Sequence, residues 1–135
     1  MFRTIQRGAA RLHLILAAAI ALGVFLQVYL IGAYIFGAGQ GALDAHRTAG
    51  FTVHGLEVLV LVLALVAWLP RTDIILSAAL AVLGTVQIAL AGGTKWVGAL
   101  HPLGALFVLV LVVALLRRRR DGWTTRRPEE RIAGG

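Results

Sequence analysis

The chain contains no cysteine. That excludes disulfides, thiolate metal sites, iron–sulfur clusters and haem attached covalently through Cys-x-x-Cys-His. Charge is scarce as well: 14% of the 135 residues are charged, against 59% hydrophobic. A soluble domain of this length has no means of hiding so much apolar surface. Aromatics make up only 7%, and the apolar residues lack the alternation of an outer-membrane barrel. Nucleotide-binding loops, nucleophile elbows and metalloprotease motifs are missing too.

What remains is four long apolar runs, at about 12–36, 46–69, 73–92 and 98–116. Each reaches the roughly 20 residues that a bilayer requires. Lipid offers no partner to backbone polar groups, so each run is expected to be a helix. Basic residues precede the first run, but it is too long for a signal-peptide core and no small-residue cleavage site follows. The expected fold is all-α: an integral membrane four-helix up-down bundle on 12–116. A cytoplasmic segment, 1–11, precedes it. A basic tail, 117–135, is expected to be disordered.

The net charge of +7 suits a membrane better than nucleic acid. Arg3, Arg7 and Arg11 precede the first run, Arg71 lies between the second and third, and seven arginines follow the fourth. Only Arg47 and Lys95 fall on the other side. This asymmetry predicts a bacterial cytoplasmic membrane with both termini cytoplasmic. The tail arginines are expected to lie on anionic headgroups. Gly37–Gly41 reads as a flexible outer loop, with Asp44 as N-cap of the second helix. Pro70–Asp73 reads as a tight inner turn, and Trp68 and Trp96 as interfacial anchors.

The two halves resemble each other. L26-Q27-V-Y-L-I-G32 aligns with V86-Q87-I-A-L-A-G92, and each is followed by a histidine, His46 or His101. This reads as a parallel repeat of two helical hairpins about a pseudo-two-fold. Ionisable groups within a span cost about 2.5 kcal/mol or more, so each needs a reason. At 100° per residue, His46, Gly50, His54 and Glu57 fall at roughly 0°, 40°, 80° and 20° on one stripe. That stripe is expected to face the interior, together with Gln27 and Gln87. The outward half of the bundle is then polar inside and the inward half aliphatic.

His46 and His101 are expected at similar depth on diagonal helices. Two neutral imidazoles so placed suit axial ligation of a haem. Gly50 and Gly104 would leave room for the macrocycle, and Arg47 at the rim would pair with propionates. His54 lies deeper, as a core partner of Glu57 or as a substitute ligand. Glu57 reads either as a proton-carrying group or as an interhelical hydrogen bond. His13 is expected at the cytoplasmic interface. Zinc or copper held by His46, His54 and Glu57 is disfavoured, because they spread over about 16 Å of rise.

The stretch H46-R47-T-A-G50 fits the His-Arg-x-x-Gly element of the heme A synthase family, which it resembles. Those enzymes consist of two four-helix halves, each with paired histidines near the outer surface. The similarity covers one such half. That family has a glutamate three residues before its histidine; here Asp44 stands two before, so the catalytic acid does not carry over. The chain also looks like small four-helix bacterial membrane proteins with an Asp-x-His … Leu-His-Pro pattern. The resemblance implies b-type haem binding and electron transfer or haem handling, rather than catalysis. The competing expectation is a cofactor-free accessory subunit or a proton-linked carrier using His54 and Glu57. Expected partners are the lipid bilayer, an unidentified membrane redox protein and, on either reading, further copies of the chain; no nucleic acid is expected.

Overall fold

A computed structural model describes residues 1–124, with side chains to residue 118. Helix α1 spans Phe2–Ile35, α2 Gln40–Val66 and α3 Arg71–Ala91. A single-turn helix, α4, covers Lys95–Gly98, and α5 runs Leu100–Thr124. Four of the helical stretches are long and apolar enough to cross a membrane: α1, α2, α3 and the stretch Lys95–Arg118 that holds α4 and the start of α5.

The helices extend beyond the apolar runs at several ends. α1 starts at Phe2 rather than near residue 12, so the basic segment 1–11 is almost wholly helical. α2 starts at Gln40, which places Asp44 inside the helix instead of at its N-cap. Its carboxylate accepts from Gln40 Nε2 at 3.2 Å and from Arg47 at 3.4 Å. A helix satisfies its own backbone, so it need not stop where apolarity stops. At the other end, α5 continues past residue 116 through Arg117 and Arg118. The disorder expected for 125–135 lies outside the described residues.

Two turns explain where helices do stop. At the end of α1, Ala38 N–H bonds Ala33 O at 2.9 Å and Gly37 N–H bonds Tyr34 O at 3.1 Å. This is a Schellman motif, which needs a left-handed residue, and Gly37 supplies it at φ +94°. The end of α2 repeats the pattern, with Leu69 N–H to Ala64 O and Trp68 N–H to Leu65 O, both 3.0 Å. Here the left-handed residue is Trp68, φ +51°. Pro70 then opens α3, accepting from Asp73 N–H at 2.8 Å.

These short reversals let α1 pack on α2, α2 on α3, α3 on α5 and α5 back on α1. Their shared core is aliphatic: Ile20, Val24, Val60, Leu80, Val112 and Leu115 are among its buried members. Large apolar side chains cover the outside, Leu22, Phe25, Tyr29, Phe51 and Phe107 among them.

The end of the bundle near His13, for which an aliphatic interior was expected, is polar. His13 is fully buried and Asp73 is 3% exposed. Ser77 Oγ donates to Asp73 O at 2.8 Å, so it accepts from His13 Nε2–H at 3.0 Å. Asp73 also accepts from Arg118 Nε at 2.9 Å. His13 is thus a core residue and not an interfacial one. A hydroxyl on α3 accepts its Nε2–H.

Ile20 and Leu80 are both fully buried. Replacing either by alanine should cost about 2–4 kcal/mol through lost contacts and a cavity. Thermal unfolding in detergent reads this. A cost below about 0.5 kcal/mol, typical of surface positions, would show that this core is not formed.

Candidate functional site

On the far side of that core from His13, the four long helices enclose a cavity of ≈ 700 Å³. This falls within the usual range of ligand pockets, about 300–1,000 Å³. His46, Arg47, Gly50, His54, Glu57 and His101 all line it, as the stripe on α2 led one to expect. Gln27 of α1 and Gln87 of α3 complete the polar set.

Each histidine is held by the glutamine of the preceding long helix. His46 Nδ1 lies 3.0 Å from Gln27 O, and His101 Nδ1 lies 3.0 Å from Gln87 O. A carbonyl oxygen only accepts, so the His101 ring donates from Nδ1 and its Nε2 keeps a free lone pair. His46 Nδ1 meets both Gln27 O at 3.0 Å and the Gln27 amide nitrogen at 2.6 Å, so it donates to the first in one tautomer and accepts from the second in the other. The glutamine side chain returns the bond. Gln87 Nε2 donates to His101 O at 2.9 Å. The Gln27 amide, in the orientation that satisfies both its ends, donates to His46 O at 2.9 Å and accepts from Gly50 N–H at 2.6 Å. Two positions of the sequence repeat therefore make the same reciprocal contact.

The rings of His46 and His101 meet across the diagonal. Their centroids are 6.1 Å apart and their planes are inclined at 77°. The glycines have a different task from the one expected. A Cβ on Gly50 would stand 2.7 Å from the end of the Gln27 amide, and one on Gly104 would overlap the Gln87 amide oxygen. Both glycines are seats for glutamine amides. Arg47 is at the exposed rim, paired with Asp44 at 3.4 Å.

Deeper in the cavity, His54 Nδ1 lies 3.3 Å from Glu57 Oε2. The carboxylate is only 2% exposed. Gly84 of α3 makes the space: a Cβ there would overlap Glu57 Oε2 and stand 2.6 Å from His54 Nδ1. Sequence reasoning did not single out Gly84. It sits in an Ala/Leu/Gly-rich helix, where only the facing side chains distinguish it. The cluster of His13, Ser77, Asp73 and Arg118 at the opposite end was missed for a similar reason, since its members come from three helices. Among the described residues, no three His, Cys, Asp or Glu side chains converge as a metal-ion shell.

The class defined so far is an all-α chain with four potential membrane spans and a histidine-lined cavity at one end. The chain belongs to a family of unknown function (DUF6220), which matches residues 27–95. That segment takes in Gln27, His46, His54, Glu57, Gly84 and Gln87 and ends before His101. No curated protein and no solved structure matches the chain.

Gly84→Ala should destabilise the fold by about 1–3 kcal/mol, because the new methyl group overlaps the Glu57 carboxylate. Gly55→Ala is the control, since a Cβ there meets nothing within 4 Å. That substitution should stabilise α2 by up to about 1 kcal/mol through helix propensity. Unfolding in detergent compares the two, and equal effects would contradict the seat assigned to Gly84.

Proposed function

We propose that this chain is a multi-pass protein of the bacterial cytoplasmic membrane, an up-down bundle of four spans with both termini cytoplasmic. In its outward half it binds one b-type haem between His46 and His101. The observation that carries this reading is the pair of imidazoles. Each has Nδ1 at 3.0 Å from a backbone carbonyl, a contact of the kind made by metal-binding histidines through their second nitrogen. Both rings line the cavity, with their centres 6.1 Å apart.

Bound haem supplies one-electron redox chemistry at iron. The residues of the chain do the rest. Gln27 and Gln87 fix the aim of the two rings. The apolar walls exclude water and set the dielectric, and through it the potential. Arg47, at the exposed rim, is placed to meet carboxylate groups at the mouth. Electrons would pass to or from a membrane redox partner. The matching contacts of Gln27–His46 and Gln87–His101 support a pseudo-two-fold repeat of two hairpins. The buried His54–Glu57 pair favours a second reading, a cofactor-free accessory subunit or proton-linked carrier.

Absorption spectra of the detergent-purified protein, produced with ample haem, separate the two. A sharp Soret band, with α and β bands on dithionite reduction, is expected for six-coordinate haem. His46→Ala and His101→Ala should each abolish that spectrum, whereas His54→Ala should retain it. A colourless protein refutes the haem reading and leaves the carrier.

Orientation can be tested separately, because the absence of cysteine permits single-cysteine labelling. Cysteine placed at Ala38 should react with an impermeant maleimide from outside intact cells, and cysteine at Thr4 only after lysis. The reverse pattern would invert the proposed topology.

A further inference from the structure

The haem reading leaves Glu57 without a task. It is the one carboxylate lining the cavity among the described residues. His54 stands beside it and Gly84 makes its seat. The α2 wall of the cavity runs His46, Gly50, His54, Glu57 from mouth to floor. At about 1.5 Å per residue, His54 lies about 12 Å and Glu57 about 16 Å below His46 along the axis.

Few other charges face this pair. The titratable or charged groups lining the cavity are His46, Arg47 and His54 on α2 and His101 on α5. α1 and α3 face it with Gln27, Gly84 and Gln87 and contribute no titratable side chain to the lining. Arg47 is at the exposed rim, beside Asp44 at 3.4 Å and at the far end of the cavity from Glu57. A change of one charge at the His46–His101 level is therefore poorly compensated on the way to Glu57. At an effective dielectric constant near 20 and about 15 Å, such a change alters proton binding roughly six- to tenfold.

We propose that the Glu57–His54 pair takes up one proton when haem held by His46 and His101 gains one electron, so that the protein carries the two together. This rests on the haem reading. The electron would come from a one-electron donor and, with haem bound, be held at its iron. The proton comes from water at the outer mouth, passes along the His54 side of the cavity and forms an O–H bond on the Glu57 carboxylate. Reduction removes a positive charge that the carboxylate faced, so the anion loses stabilisation and binds a proton more tightly. Reoxidation releases it.

The test is a redox titration of the haem-loaded full chain in detergent at a series of pH values. The midpoint should fall as pH rises, by about 50 mV in total, because a tenfold change in an equilibrium constant is about 59 mV for one electron. Glu57→Gln keeps the shape of the side chain and should flatten that dependence while leaving the reduced spectrum unchanged. A haem-loaded protein whose midpoint ignores pH overturns this inference alone, as does a Glu57→Gln variant with undiminished pH dependence. If that variant fails to fold, electrochemical reduction of the unaltered protein beside a pH indicator decides the matter. Proton uptake is expected, and its absence overturns the proposal. A colourless protein overturns both this inference and the haem reading.

Discussion

A helix that carries a histidine into an apolar interior must give the ring a partner there. In this chain the partner is a backbone carbonyl on the helix before it. The histidine Nδ1 lies 3.0 Å from Gln27 O in one case and from Gln87 O in the other. Gln87 completes the exchange with His101 O, and the Gln27 amide does the same with His46 O. An unpaired buried polar group costs about 1–3 kcal/mol, so each reciprocal contact ties two helices in a fixed register. Much else follows from that tie. Gly50 and Gly104 must be small because the amides lie against them. The two rings sit 6.1 Å apart.

The rest of the interior obeys the same constraint with other chemistry. At the end away from the cavity Ser77 mediates between His13 and the backbone of Asp73, and Asp73 takes Arg118. At the cavity floor Glu57 leans on His54 within one turn of α2, while Gly84 opens the facing helix for it. Between these polar ends lies an aliphatic layer from all four long helices. Buried residues of α1 and α3 keep a common spacing: His13 with Asp73, Ala17 with Ser77, Ile20 with Leu80, Val24 with Gly84. His13 of the first pair meets Ser77 of the second at one end, and Gly84 of the last makes the seat for the acid at the other.

Composition and periodicity made the helical class legible, along with the number of long helices and the stripe His46–Gly50–His54–Glu57. They also picked out His46 and His101 as equivalent positions, because a short repeat survives in an otherwise uniform background. Helix ends were less legible. Apolarity marks what lipid tolerates, whereas a helix continues until a residue such as Gly37 or Trp68 turns left-handed. That is why α1 begins ten residues before its apolar run and why Asp44 lies within α2.

The sequence by itself determined that this chain forms long apolar helices and that few polar residues enter them, since both follow from local composition and a period of about 3.6 residues. Only the tertiary structure decided which polar residue meets which. It gave Gly50, Gly84 and Gly104 to side chains from neighbouring helices and buried His13 against Ser77. It also set the two imidazoles at one separation across the diagonal. The reason is physical: these pairings join residues 14 to 64 positions apart, and their partners are chosen by helix packing, which local pattern does not encode.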